Sequence, residues 1–103
     1  MTNSEIVVRD NPAESRFEVR IGDDVAIAQY RISPRGIRFV HTEVPAALGG
    51  RGIATALVRH GLGEARRRGL AVLPDCPFFA KYMKEHPEEQ DLLHPDYRAR
   101  LGL

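Results

Sequence analysis

The chain has 103 residues, of which 43% are hydrophobic, and residues 1–103 are therefore expected to form one small globular domain with one core. Fifteen Lys and Arg residues stand against 14 Asp and Glu residues, and this balance points to no nucleic-acid or membrane partner. A single cysteine, Cys76, excludes an internal disulfide, and no apolar stretch could span a bilayer, so we expect a cytoplasmic protein.

Alternating apolar and polar residues predict strands in the first half of the chain. Residues 5–8 form either a short strand or an extension of the terminus. Residues 17–21, 25–32 and 37–44 follow as three strands separated by turn residues, which predicts an antiparallel β-meander. In the third strand, strict alternation places Ile37, Phe39, His41 and Glu43 on one face, and Arg38, Val40, Thr42 and Val44 on the other.

The period changes to that of a helix from Gly52 to about Arg68, and Gly69 is placed as its C-terminal stop. Gly61 and Gly63 lie inside this helix at a cost of about 1 kcal/mol each relative to alanine. Close packing of the helix against the sheet would explain these two glycines.

The second half of the chain completes the predicted α/β fold. Residues 70–73 read as a buried strand, parallel to the third strand through a right-handed crossover. Pro77 opens a second helix through Glu85, and residues 88–103 offer only weak helical turns. The sequence thus predicts a meander, a β-α-β crossover and a further helix.

The glycine-rich turn before the long helix is the most informative segment of the chain. Glycines there let main-chain N–H groups approach a ligand closely. The first amides of the helix that follows lack internal partners, and its N-terminal end is positive, which suits phosphate oxygens. The alternative is a turn that only joins a strand to a helix. The residues concerned are Gly49, Gly50, Arg51, Gly52, Ile53, Ala54 and Thr55.

Other phosphate-binding motifs fit this turn less well. A dinucleotide-binding motif needs a third glycine where this chain has Thr55. A P-loop needs Gly-Lys followed by Ser or Thr, which is absent.

Three segments together resemble the GCN5-related N-acetyltransferase (GNAT) superfamily, and within it the minimal single-domain branch. They are residues 41–45 (HTEVP), 52–54 (GIA) and 74–78 (PDCPF). The family's acetyl-CoA motif is Gln/Arg-x-x-Gly-x-Gly/Ala: Gly52 and Ala54 match its second half, whereas Gly49 replaces the Gln or Arg. The resemblance runs from about Phe17 to Leu93. It implies a minimal GNAT fold and an acyltransferase that moves an acetyl group from acetyl-CoA to an amine.

The resemblance also implies where coenzyme A binds. Residues 49–55 would hold its pyrophosphate, with Arg51 as a charge partner, and the strand edge at Val44 would pair with the pantetheine arm as an added strand would. The acceptor would be an amine of a small molecule, peptide or protein. Because the chain lacks helices that wall the acceptor site in larger relatives, an open site would admit a peptide or protein.

His41 is the first candidate catalytic residue. An alkyl amine is mostly protonated at pH 7, so its attack requires a base, and histidine serves this role near neutral pH. His41 lies at the end of the strand expected to flank the acetyl group. Glu43 is a weaker candidate base, and a structural histidine is the alternative interpretation.

Cys76 and Tyr82 are the other two candidates. Cys76 follows the strand at residues 70–73, so we expect it near the end of the His41 strand. There it would form an acetyl-cysteine intermediate or relay a proton, unless it is simply a small buried residue. Tyr82 matches the family's tyrosine that protonates the departing thiolate, and a half-buried packing tyrosine is the alternative.

The remaining histidines, His60, His86 and His94, read as surface residues. No combination of His, Cys and acidic residues has metal-ligand spacing, so we predict no metal. A coenzyme A or acyl-CoA binding module without significant turnover is the main alternative to an enzyme. A small nucleic-acid binder using Arg59 and residues 66–68 fits less well, because aromatic residues do not interleave with these arginines.

Overall fold

The computed structural model describes residues 6–103. One sheet has the strand order β1-β2-β3-β4-β5; its neighbours are antiparallel as far as β4, and β5 is parallel to β4. Short 3-10 turns occupy Pro12–Glu14, Ala46–Leu48 and Pro87–Leu92. The elements in chain order are β1 (Arg9–Asn11), β2 (Arg16–Ile21), β3 (Asp24–Ser33), β4 (Gly36–Glu43), α1 (Ile53–Arg68), β5 (Val72–Pro74), α2 (Pro77–Glu85) and α3 (Pro95–Arg100).

This architecture confirms the predicted meander, crossover and further helix. The bounds of β2 to β5 and of α1 lie within two residues of those predicted, and α2 has the predicted bounds. β1 was not predicted: residue 5 lies outside the described residues, and residues 6–8 form no strand. The weak turns expected after residue 88 include a regular helix, α3. Within residues 6–103, no helix is both long and apolar enough to cross a membrane.

The core lies between α1 and one face of the sheet, and it explains one of the two helical glycines. Phe39 of β4 stacks on Phe79 of α2 with their ring centroids 4.0 Å apart. A Cβ atom at Gly61 would lie 3.0 Å from the Phe39 ring and 3.3 Å from the Phe79 ring. Close packing therefore accounts for Gly61. It does not account for Gly63, where nothing lies within 4 Å of such an atom.

The outer edge of β5 is covered by the chain's own C-terminal segment. Val72 forms a parallel bridge with Leu93, and the His94 N–H donates to the Val72 carbonyl at 2.9 Å. Both Val72 and Leu93 belong to the core. The three-residue strand is thus held on both sides, by β4 and by this segment.

A β-bulge interrupts the regular pairing of β3 with β4. Gln29 pairs with His41, whereas the next residue, Tyr30, pairs with Phe39. Val40 is therefore an extra residue on β4. Because side chains alternate between the faces of a strand, one extra residue exchanges the faces of every side chain that follows it.

The predicted alternation along β4 is therefore wrong beyond Phe39. Thr42 pairs with Ala28, a core residue, and faces the core side of the sheet. His41 and Glu43 point to the opposite face, although regular alternation would have placed them beside Phe39. The sequence pattern around residue 40 contains no signal that distinguishes a bulged strand from a regular one.

We call the face of the sheet opposite α1 the open face. Most of its side chains are long and polar, and Ile27, although only 8% exposed, does not belong to the core cluster. The open-face side chains of β1 to β4 are those of Arg9, Asn11, Arg16, Glu18, Arg20, Val25, Ile27, Gln29, Arg31, Ser33, Arg38, His41 and Glu43. Glu18 is the buried charge among them: hydrogen bonds from Asn11 and from Arg16 lower the pKa of its carboxyl group.

Candidate active site

β4 and β5 separate beyond Phe39 and open a gap in the sheet, which we call the split. β5 pairs with β4 only between residues 37 and 39, whereas β4 continues against β3 as far as Glu43. The last hydrogen bond across the two strands runs from the Cys76 N–H to the Phe39 carbonyl, at 2.8 Å. In the described part of the chain, β4 therefore has an edge without a paired strand, where an extended ligand can bind its backbone.

The glycine-rich turn lies between the end of β4 and the start of α1. Gly50 and Gly52 have φ values of +77° and +76°, in the left-handed region that glycine adopts without strain. A Cβ atom at either position would meet nothing within 4 Å, so open space lies above the turn. Leu48, only 2% exposed, anchors the turn in the core. The backbone therefore leaves room for a ligand to approach closely.

Residues 52–55 present four consecutive N–H groups that have no hydrogen-bond acceptor among residues 6–103. The first hydrogen bond of α1 is donated by Ala56 to the Gly52 carbonyl, at 3.0 Å. No side chain caps this end of the helix, and no acidic residue lies in its first turn. These donors and the positive end of the helix suit an anion such as a pyrophosphate.

Two more of the predicted coenzyme-site residues flank these groups. Val44 follows the last residue of β4 and packs, half-buried, against the core. Arg51 is exposed in the middle of the turn and forms no ion pair with any described residue. The arginine is therefore available to a ligand at the turn.

A cavity of about 370 Å³ adjoins this turn between α1 and α2. Tyr82 and His86 form part of its wall, with stacked rings whose centroids are 3.7 Å apart. Nδ1 of His86 lies 2.7 Å from the Tyr82 carbonyl oxygen, and since a carbonyl only accepts, this nitrogen is the donor. The lining residues are Thr55, Arg59, Phe78, Lys81, Tyr82, Glu85 and His86.

Cys76 lies where the split begins. It is only 3% exposed and immediately precedes α2. Its Sγ atom lies 3.2 Å from Oγ1 of Thr42, and either atom can be the donor. The bulge at Val40 makes this contact possible, because it turns Thr42 toward the side of the sheet that carries Cys76. Regular alternation did not identify Thr42 as a site residue.

His41, by contrast, faces away from Cys76. Its side chain is 56% exposed on the open face, and its Nε2 atom lies 3.6 Å from Oε1 of Glu43. The three predicted catalytic residues thus have three different partners: Cys76 contacts Thr42, Tyr82 stacks on His86, and His41 pairs with Glu43. The structure does not join them in one hydrogen-bonded cluster.

A second polar cluster surrounds Asp75, next to Cys76 in the chain. Asp75 accepts a hydrogen bond from the Tyr97 hydroxyl and forms ion pairs with Arg38 at 3.2 Å and with Arg100 at 3.8 Å. Burial, together with the hydrogen bond to Asp75, raises the pKa of Tyr97. These contacts tie α3 and β4 to the segment that carries Cys76 and so hold it in place.

The other histidines, interpreted as surface residues, are partly exposed, and each has a defined contact. The ring of His60 packs edge-on against that of Phe17 with the ring centroids 5.1 Å apart, and the ring of His86 stacks on that of Tyr82. His94 accepts a hydrogen bond from the Asp96 N–H at the start of α3. Within residues 6–103, no group of three or more His, Cys, Asp or Glu side chains is arranged to hold a metal ion.

Comparisons with known proteins bear on this site. A family model described as GCN5-related N-acetyl-transferase matches residues 16–92. Protein NATD1 from Gallus gallus is 35% identical over 92 residues, which cover 86% of this chain and 84% of that protein. Protein NATD1 from Homo sapiens is 34% identical over 90 residues, with coverage of 84% and 80%. The solution structure of a GCN5-like protein from Staphylococcus aureus matches with a TM-score of 0.67 at 26% identity, covering 88% of this chain and 90% of that one.

Proposed function

Because the chain belongs to the GCN5-related N-acetyltransferase family, we propose that it is an enzyme that uses acetyl-CoA to acetylate an amine. The observation that carries this proposal is the row of four N–H groups at residues 52–55, which have no acceptor within residues 6–103 and lie near the split in the sheet. Together they offer an anion site and an adjoining strand edge. Coenzyme A requires both, since its pyrophosphate is joined to an extended, amide-containing arm.

The described residues offer a binding group for each of several parts of this ligand. The N–H groups of residues 52–55, with Arg51, would hold the pyrophosphate. The free edge of β4 would bond the pantetheine amides. The cavity between α1 and α2, which adjoins the turn at Thr55 and is also lined by Tyr82, would receive the part of the ligand between the pyrophosphate and the sulfur. Family membership supports this assignment.

When bound, acetyl-CoA supplies a thioester carbonyl carbon. The acceptor nitrogen forms a bond to this carbon, and the bond from carbon to sulfur breaks. His41, assisted by Glu43, would take the proton that the amine loses, and the Tyr82 hydroxyl would give a proton to the departing thiolate. Because His41 and Glu43 lie on the open face, the amine would arrive from that side of the sheet.

Cys76 allows a second route through the same site. Its thiolate would first take the acetyl group as a thioester, releasing coenzyme A, and the amine would then attack this acetyl-cysteine. In the direct route, Cys76 and Thr42 would instead relay a proton. A reducing compartment such as the cytoplasm suits either route, since the cysteine is a free thiol.

A binding module without significant turnover is the second candidate function. One observation favours it: His41, Cys76 and Tyr82 do not contact one another. Calorimetric titration with coenzyme A and with acetyl-CoA, followed by mass spectrometry of an amine and peptide panel, separates the two functions. Binding with transfer supports the enzyme, and binding without transfer supports the module. An acetyl group on Cys76 supports the covalent route, and no binding of either compound would refute both functions.

A further inference from the structure

The open face is richer in positive charge than the chain as a whole. It carries five arginines against two glutamates, whereas the entire chain has a formal net charge of only +1. The same face carries His41 and Glu43 beside the split. An acceptor molecule that reaches the split from this side therefore passes over an arginine-rich surface.

Two arginines on this face, Arg9 and Arg31, form no ion pair with a described residue. Arg31 is the one near the split, because it lies on β3 beside β4, whereas Arg9 lies on β1 at the far edge of the sheet. Arg16 and Arg20 both form ion pairs with Glu18, with their Nε atoms 2.7 and 3.1 Å from its carboxylate oxygens. Arg38 forms an ion pair with Asp75, in which Nη1 lies 3.2 Å from Oδ2. Arg31 is exposed and has no acidic partner within 4.0 Å in the described part of the chain.

Arg31 also lies directly opposite Arg38 on the neighbouring strand. Like charges in directly opposed positions destabilise a sheet, and a bound anion would relieve this repulsion. A polar hollow of about 190 Å³ beside Arg31 reaches the bulge, and because Glu14 contributes a carboxylate to its lining, an anion would bind at the Arg31 side. The hollow is lined by Ala13, Glu14, Ser15, Gln29, Tyr30, Arg31 and Val40.

The position of Arg31 sets the spacing that an acceptor must have. Gln29 is the cross-strand partner of His41, and Arg31 lies two residues further along β3. With about 4.8 Å between strands and about 3.3 Å per residue, the Cα atoms of Arg31 and His41 are roughly 8 Å apart. The arginine side chain extends further than its Cα atom, so the distance to be spanned is somewhat longer than this. An extended peptide spans it with about two to four residues.

We propose that the open face docks the acceptor, and that the acceptor is a peptide segment with Glu or Asp about two to four residues from its amine. This proposal rests on the proposed acetyltransferase function. The carboxylate of Glu43 would attract the ammonium form of the amine to the split. Arg31 would bind an acidic side chain of the peptide through two parallel hydrogen bonds, which its planar guanidinium favours.

A peptide fits this surface better than a nucleic acid does. Glu18, Glu43 and Asp75 are interspersed with the arginines and would repel a continuous phosphate backbone. None of the open-face residues of β1 to β4 is Phe, Tyr or Trp, so His41 carries the single ring there on which a base could stack.

Two lysine peptides of identical length test the proposal, one with glutamates and one with glutamines at the second to fourth positions after the lysine. We expect kcat/KM to be at least about fivefold higher for the glutamate peptide at low salt, and the preference to shrink as salt is added. In Arg31→Glu the preference should disappear, and Arg31→Gln should give an intermediate value. Lys84→Glu, an equal charge reversal at an exposed position on α2, should leave the preference unchanged.

Binding is measured separately from turnover, by fluorescence anisotropy of the labelled peptides with and without coenzyme A. If coenzyme A binds but no acetyl group is transferred, tighter binding of the glutamate peptide that Arg31→Glu abolishes still supports the docking surface. Equal behaviour of the two peptides overturns the proposal, as does an equal effect of Arg31→Glu and Lys84→Glu. Stronger binding of single-stranded DNA than of the glutamate peptide also overturns it.

Discussion

Thr42 Oγ1 and Cys76 Sγ lie 3.2 Å apart at the point where β4 and β5 separate. The two residues belong to different elements and are 34 positions apart in the chain. One extra residue in β4, Val40, turns the threonine toward the cysteine. The contact places a thiol with a hydroxyl partner at the proposed thioester site, whichever of the two routes the reaction follows.

Replacing Cys76 with alanine should lower kcat by at least about tenfold and leave the affinity for acetyl-CoA within about threefold, since the proposed pyrophosphate site is elsewhere. Steady-state kinetics and calorimetry measure the two quantities. Cys76→Ser, which puts a hydroxyl in place of the thiol, should retain more activity than Cys76→Ala if the thiol only relays protons. Full activity of Cys76→Ala would show that the thiol takes no part.

Gly52→Glu should weaken coenzyme A binding by at least about a hundredfold, because it places a carboxylate where the pyrophosphate would lie. The positive φ of Gly52 adds strain of about 1 kcal/mol to the variant. Gly63→Glu is the matched control: this glycine is in α1, exposed and away from the turn. Calorimetry that finds wild-type affinity in Gly52→Glu would disprove the assignment of the turn.

His41→Ala should reduce turnover and make kcat/KM less dependent on pH, because the variant lacks the proposed base. The free energy of unfolding should change by less than about 0.5 kcal/mol, since the side chain is exposed and packs on no core residue. Rates at several pH values, with a urea titration as the folding control, test both statements. Unchanged kinetics would leave His41 without a catalytic role.

Gly61 and Gly63 should respond oppositely to alanine. Gly61→Ala should destabilise the protein by about 1–2 kcal/mol, because the new methyl group presses on the stacked rings of Phe39 and Phe79. Gly63→Ala should stabilise it by about 0.5–1 kcal/mol, because the position is open and alanine favours a helix. Urea unfolding of the two variants measures the difference, and effects of the same sign would contradict the packing at Gly61.

Glu64 should make the stability depend on acid pH. Hydrogen bonds from Arg67, and then from Arg68, lower the pKa of Glu64 to about 2, from the usual 4.5. The Glu64 carboxyl group therefore binds a proton less readily in the folded state than in the unfolded state. Its contribution to stability is complete above about pH 4.5 and is lost as the pH falls toward 2.

Glu64→Gln should accordingly lower the free energy of unfolding by about 1 kcal/mol at pH 7 and leave it almost unchanged near pH 2. The effect at pH 7 is small because Arg67 is largely exposed to solvent. Urea unfolding at pH 7, 4 and 2.5 follows the change. A difference between wild type and variant that stays constant with pH would argue against the Arg67 pairing.

Local patterns predicted most of the fold. Pro77 marks the start of α2, and Gly69 ends α1 in a left-handed conformation, because both residues act through their own backbone geometry. β1 was missed since its three residues, Arg9–Asn11, show no apolar alternation, and its formation depends on pairing with β2. Long-range pairing of this kind leaves little trace in a short polar segment.

The candidate site was predicted less completely than the fold. The residues at the turn follow from glycine and helix-end chemistry, which are local. The partners of His41 and Cys76 depend on the bulge at Val40, which arises from the match between β3 and β4 rather than from either strand alone. For this reason Thr42 was assigned to the wrong face, and the open face was not identified as the side that carries His41.

The bridge between Val72 and Leu93 has a consequence for biogenesis. β5 is only three residues long, and its outer edge is covered by a segment about twenty positions further along the chain. During synthesis the outer edge of β5 therefore stays uncovered until Leu93 has emerged from the ribosome. A nascent or proteolysed chain that lacks this segment exposes an unpaired strand border, which invites self-association.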